Sequence, residues 1–391
     1  MMVHMLVAVG AILLGSLFFS VVFRRNLEEC IPPTIFGIIL VLYLFYCADK
    51  LYLGYNFTLL LLVAAGAYSL LRIIKLKEIK PCAGRAVTQG VAIFLVFCLG
   101  IYLFTRGNVV HNWDDLRLWG AVPKLMYYDG GLQLGADSAV FFTMQSYYPG
   151  MQLFAFFITK TMGRFYEGGV YLAYGIFVAA MTVGVFARSK KRFNLVTLPV
   201  AIMLMWLPMI FFNNLPDAAV FYRSLYIDPI LGITCGYVFY LIACDVNKDL
   251  FSKIRFCLAL GGMLLLKDSA LLFGVMGIVC VAVVEILKIR ELRSLEEKRS
   301  QGKTSLLWLG AMVGTVALAV LPWKIQLWRY SVSTHIGLQA PKVENHGVII
   351  KKFLQSLLGC PLIEQSTQTG ISQYFTYAVF MAAFVIIGFL A

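Results

Sequence analysis

Val87-Thr-Gln-Gly-Val-Ala-Ile-Phe-Leu-Val-Phe-Cys-Leu-Gly-Ile-Tyr-Leu-Phe104 carries no charge and leads into His111-Asn-Trp-Asp114-Asp115-Leu-Arg117-Leu-Trp119. An uncharged run of this length suits one crossing of a hydrocarbon layer about 30 Å thick, at roughly 1.5 Å of rise per helical residue. Two adjacent acids beside such a run need a reason, because charges are scarce in the apolar part of the chain.

Working outward, similar apolar runs cover residues 5–23, 34–47 and 53–74 before this stretch. After it come 168–187, 196–212, 227–243, 256–266, 270–287, 306–322 and 374–391. The run at 34–47 is short but extends past Pro33, which suits a helix start. The reading is an all-α, polytopic transmembrane bundle of about 11 spans, with no polar stretch long enough to fold as a soluble domain. It is taken as a single membrane domain, 1–391, whose last run is cut short inside apolar sequence.

Composition points the same way. Hydrophobic residues make up 60% of the chain, charged ones 14%, and the mean hydropathy is +0.82. A soluble globular domain holds about 45–50% apolar residues. The formal charge of +13 does not imply nucleic acid, because the cations sit in short clusters between spans, at 24–25, 75–85, 188–192 and 288–303. That is the positive-inside pattern, so the clusters set topology. Nine cysteines without a C-x-x-C pair indicate neither zinc nor a disulfide framework and read as small buried hydrophobes. The first twenty residues lack a basic n-region and a cleavage site, so they read as a retained span.

With 24–25 and 75–85 on the inner side, the segment after Phe104 lies outside. Trp113, Leu116, Trp119, Val122 and Met126 recur at helical steps, giving an amphipathic juxtamembrane helix with Asp115 and Arg117 turned to polar surroundings. Residues 151–162 follow Tyr147-Tyr148-Pro149-Gly150. Were they to cross, the clusters at 188–192 and 288–303 would fall outside, so they read as a juxtamembrane or re-entrant helix. Asp217, Arg223, Asp228 and Lys267-Asp268 then gather on the outer side with Asp114-Asp115, as a binding site requires.

Five motifs in this order carry a family resemblance: Trp113-Asp-Asp115; Tyr147-Tyr-Pro-Gly150; Tyr226-Ile-Asp228-Pro; Leu265-Leu-Lys267-Asp-Ser-Ala; and Leu321-Pro-Trp323. Together they resemble the GT-C superfamily of membrane glycosyltransferases, which includes protein O-mannosyltransferases and aminoarabinose transferases. The resemblance covers 87–323, leaving 1–86 as extra N-terminal spans and 324–391 as an outer loop and last span. It implies an enzyme of the plasma membrane, a glycosyltransferase that moves a sugar from a polyprenyl-phosphate donor to a lipid, glycan or protein acceptor on the extracytoplasmic face. Asp114 maps onto the general base and Asp115 onto its acidic neighbour; mutual repulsion raises one of the two pKa values, which favours base chemistry.

For the leaving phosphate the candidates are Arg117, Lys124, Arg223, Lys267 and Arg329. Lys267 is the sharpest, because it interrupts an apolar run and needs either a partner, Asp228 or Asp268, or a route to the surface. Asp228 is otherwise a helix N-cap before Pro229, and Tyr147, Tyr148 and Trp323 are candidates for lining a sugar or prenyl groove. Some members of the superfamily use a divalent metal, Mg or Mn, for which His111 is the one candidate ligand; no cofactor is certain. The bland alternative for Asp114-Asp115 is a solvated loop or a helix start. Competing functions are an O-antigen ligase or polymerase and a polytopic transporter. The loop 323–373, with Lys342, His346, Lys351 and Lys352, is a candidate cover for the site.

Overall fold

The computed structural model describes residues 2–111, 113–140, 144–186, 225–244, 249–292 and 294–332. Every regular element among them is helical: α1 (Met2–Phe23), α2 (Leu27–Cys47), α3 (Leu51–Leu76), α4 (Ile79–Ala86), α5 (Gln89–Thr105), a π-helical turn (Asp115–Trp119), α6 (Ala121–Tyr128), α7 (Gly150–Thr161), α8 (Glu167–Phe186), α9 (Ile227–Cys244), α10 (Leu250–Leu264), α11 (Ala270–Glu291) and α12 (Leu295–Arg329).

Seven of these, α1, α2, α3, α8, α9, α11 and α12, are long and apolar enough to cross a membrane. The 17-residue α5 joins them only together with α4, from which it bends by 50°. The run at 256–266 belongs to α10, whose 15 residues fall short of a span. The runs at 196–212 and 374–391 lie outside the described residues.

Expectation and structure differ at α2. The helix begins at Leu27, so Pro32 and Pro33 lie inside it rather than at its start. The two prolines withhold donors from the carbonyls of Glu28 and Glu29 in the first turn, so the lost ladder bonds fall at the very start of the helix. This longer α2 stands at the centre of the bundle against α1, α3, α7, α8, α10 and α12. Ile31, Ile35, Phe36, Ile39, Leu42 and Tyr43 are fully buried along it. In lipid such packing is held by close van der Waals fit rather than by exclusion of water. Gly262 of α10 shows how close the fit is: a Cβ there would stand 2.1 Å from the Phe36 ring.

The termini are fastened by polar contacts. Thr88 caps α5 by accepting from the Val91 N–H at 3.2 Å, and its hydroxyl donates to Glu28 Oε2 at 2.6 Å. Ser294 and Glu297 form a capping box at the start of α12. The basic clusters of 24–25 and 75–85 come to one end of the bundle, where Arg24 Nη2 meets Glu78 Oε1 at 2.9 Å and Arg85 Nη2 lies 3.6 Å from Glu78 Oε2.

Both ends of α7 lie at the opposite end. Its first residue hydrogen-bonds to Leu265 just beyond α10, and Thr161 Oγ1 accepts from Tyr55 in the first turns of α3 at 3.4 Å. Twelve residues reach only about 18 Å, and residues 151–159 are buried throughout. The helix is therefore short and packed inside protein.

Of the described cysteines, all free, five are buried and Cys280 is exposed. Cys360 lies outside the described residues.

Candidate functional site

The acidic loop does not form the regular amphipathic helix that its spacing suggests. Asp115–Trp119 winds as a π-turn, closed by the Gly120 N–H donating to the Asp115 carbonyl at 2.7 Å. The wider turn puts the residues before it out of helical register with those after it. Trp119, Val122 and Met126 are buried as expected, but Trp113 and Leu116 are 57% and 55% exposed. Asp115, expected to face polar surroundings, is instead fully buried. Asp114, one residue earlier, is half-buried. Single π-turns of this kind occur often at functional sites.

The buried Asp115 makes a long-range bond: its Oδ2 accepts the backbone N–H of Leu225 at 3.2 Å. That bond holds the acidic loop against the segment that opens α9. Three residues further on, Asp228 sits in the first turn of α9 and pairs with Lys267, Nζ to Oδ1 2.5 Å. Lys267 is tolerated beside apolar sequence because α10 ends at Leu264 and α11 begins at Ala270, which leaves it in the turn between them. Its neighbour Asp268 pairs with Lys324 of α12 at 3.3 Å.

The other motifs join the same assembly. The Gly150 N–H donates to the Leu265 carbonyl at 2.8 Å. The Trp323 indole donates to the Ser146 carbonyl at 3.1 Å, and its ring lies 6.3 Å from that of Tyr148. The Tyr147 ring meets Trp119 edge-on at 5.7 Å. Four of the five motifs thus touch at least one other, the acidic pair joins them through the neighbouring Leu225 and Trp119, and the contacts close a circuit from the acidic loop through the start of α9, the α10–α11 turn and α12 back to the loop before α7.

Charge and burial act on the phenols here. Burial, and then the charges of Asp114 and Asp115, raise the Tyr226 pKa. Burial and then Asp268 raise that of Tyr148. Both therefore stand as neutral donors beside carboxylates. Tyr148 is only 3% exposed, so it backs the site under Lys324, whose ammonium lies 5.5 Å from its ring centre, and does not line an open groove.

The remaining candidates spread out. Arg117 stacks on the Trp113 ring at 3.8 Å, Lys124 is exposed on α6, and Arg329 is exposed at the end of α12. His111 is exposed with Nδ1 3.1 Å from the Val109 carbonyl, and no group of three or more potential metal ligands exists among the described residues. Asp217, Arg223, Lys342, His346, Lys351 and Lys352 lie outside the described residues. The outer loop expected from Trp323 begins later, because α12 continues through Pro322 to Arg329.

Two residues escaped the sequence reading. Lys324 follows a run taken to end at Pro322, and only the extension of α12 brings it to Asp268. Gln145 is buried and organises the loop before α7: it accepts from the Gly135 N–H at 2.8 Å and donates to the carbonyls of Gly135 and Val140 at 3.0 and 2.9 Å. A lone glutamine in a loop gives no sequence signal for such a role. Set against family models, curated proteins and solved structures, the chain matches none of them.

Proposed function

We propose that this protein is a GT-C-like membrane glycosyltransferase of about 11 spans. It takes a sugar from a polyprenyl-phosphate carrier and passes it to an acceptor on the extracytoplasmic side of the plasma membrane. The observation that carries the reading is the division of labour between the two adjacent acids. Asp115 is buried and tied to Leu225, whereas Asp114, just before the π-turn, is only half-buried. A general base must reach an acceptor hydroxyl within hydrogen-bond distance, which Asp114 can do and a fully buried acid cannot.

In this mechanism Asp114 takes the acceptor proton as the acceptor oxygen attacks the anomeric carbon. The bond from that carbon to the phosphate oxygen breaks, and the lipid phosphate leaves with its electron pair. Lys267 and Lys324 receive the negative charge. Each already holds one carboxylate, and an ammonium has three donors, so both keep N–H groups for phosphate. Asp115 positions Asp114 by fixing the loop.

The test is transfer of labelled sugar from a panel of polyprenyl-phosphate sugars by purified protein in lipid, native against Asp114→Asn. Loss of transfer with retained donor binding supports the mechanism. Unchanged transfer in the variant removes Asp114 as the base. Neither transfer nor donor binding across the panel favours the ligase or transporter.

A further inference from the structure

At the opposite end of the bundle, α3, α4 and α5 form an elbow rich in cations. Arg72, Lys75, Lys77, Lys80 and Arg85 fall along this elbow with one carboxylate, Glu78, which Arg24 and Arg85 share. Arg24 takes up Glu78 at hydrogen-bond distance, 2.9 Å. Arg85 reaches the same carboxylate only at 3.6 Å, and its Nε and Nη2, beside the Cys82 thiol, are shielded from water with no hydrogen-bond acceptor of good geometry. A charged donor shielded without an acceptor is costly, and a planar guanidinium is well matched to phosphate oxygens. The Arg85 side chain is still 18% exposed, so a rotamer change brings it to headgroup level.

The surroundings specify the kind of ligand. Leu71, Ile74 and Leu76 at the end of α3, Ile79 on α4 and Val87 before α5 are 69%, 66%, 49%, 63% and 75% exposed beside these cations. Exposed aliphatic side chains interleaved with cations suit a ligand that carries both acyl chains and an anionic head. The short α4 bends from α5 by 50° and packs on α1, α2 and α3, with Cys82 buried. Basic pockets between spans recognise anionic lipids by this combination.

We propose that the α3–α4–α5 elbow binds the headgroup of an anionic phospholipid, with Arg85 and Lys80 on its phosphate and Ile79 and Val87 against its acyl chains. The site stands independently of the transferase reading.

The test uses the full chain in nanodiscs of phosphatidylcholine alone or with added phosphatidylglycerol, reading retained lipid by native mass spectrometry and the unfolding temperature. Phosphatidylglycerol is expected to be retained preferentially and to raise the unfolding temperature. Arg85→Gln and Lys80→Gln should each weaken retention about fivefold, while the control Arg299→Gln/Lys303→Gln, at the start of α12, leaves it unchanged. Should Arg85→Gln fail to fold, the exposed Lys80→Gln decides. Retention equal to native in the folded variants overturns the proposal, as does an equal loss in the control.

Discussion

The backbone N–H of Leu225 donates to Oδ2 of Asp115 at 3.2 Å, across 110 residues of sequence. One buried carboxylate thereby ties the acidic loop to the start of α9. Replacing Asp115 by Ala leaves a buried donor without its acceptor, which costs about 1–3 kcal/mol. Asp114→Asn, at the half-buried neighbour, should leave stability nearly unchanged. Thermal unfolding in detergent reads the difference, and equal shifts for the two variants contradict the assignment of roles.

Lys267 and Asp228 are 28% and 59% exposed, so their ion pair contributes at most about 1 kcal/mol to stability. A role with the leaving phosphate has a different scale, since loss of one charge-stabilising donor slows a reaction by about 10²–10³. Lys267→Met should therefore unfold close to the native temperature while its sugar transfer falls by that factor. A large loss of stability with unaltered specific activity makes Lys267 structural.

The membrane class and most helices were legible because apolar runs and basic clusters are properties of segments, readable without knowing what each segment touches. The short helix α7 was legible for the same reason, since its apolar stretch is visibly shorter than the runs around it. What escaped depends on single contacts. Nothing local marks Asp115 for burial, because its partner is a backbone N–H far along the chain and the π-turn that aims it breaks the 3.6-residue period. Lys324 was missed because a proline was taken to end a helix that continues through it. The pairing of Lys267 with Asp228 rather than Asp268 follows from a turn that points the two adjacent residues to different helices.

Gly150 opens α7 where its N–H meets the Leu265 carbonyl. A Cβ there would stand 2.5 Å from that oxygen and 2.9 Å from its carbon, both backbone atoms that no rotamer change can move. Gly150→Ala should destabilise by about 1–3 kcal/mol, whereas Gly100→Ala, where nothing lies within 4 Å, should not. Urea unfolding of both variants checks this, and equal midpoints count against the close approach.

Asp249 caps α10, accepting from the Ser252 N–H and hydroxyl at 2.9 Å each and pairing with Arg25. Burial pushes its pKa up, but those bonds and the Arg25 charge outweigh it and hold the carboxyl below its ordinary 3.8. A folded-state pKa below the unfolded one gives stability that is present above the unfolded value and lost as pH falls through the folded one. Asp249→Asn keeps the cap and removes the charge. The native advantage over this variant should therefore be full at neutral pH and shrink below pH 3.8; a gap in unfolding temperature that stays constant with pH points to the cap alone.

Arg255 is 2% exposed, with Nε donating to the Tyr237 hydroxyl at 2.9 Å and Nη1 3.5 Å from Glu29 Oε2. These contacts join α10 to α9 and α2 at the end of the bundle away from the acidic loop. Desolvation of two charges offsets much of what their attraction gains, so the pair as a whole is worth little against an apolar replacement. Removal of one partner is another matter, because it strands the other charge inside the protein. Glu29→Leu should cost about 3–5 kcal/mol. Glu29→Leu with Arg255→Met should recover most of that loss, although the Tyr237 hydroxyl then gives up its donor. A double-mutant cycle on unfolding free energies measures the coupling directly: additive losses sink the idea of a coupled pair, and a double variant more stable than Glu29→Leu alone supports it.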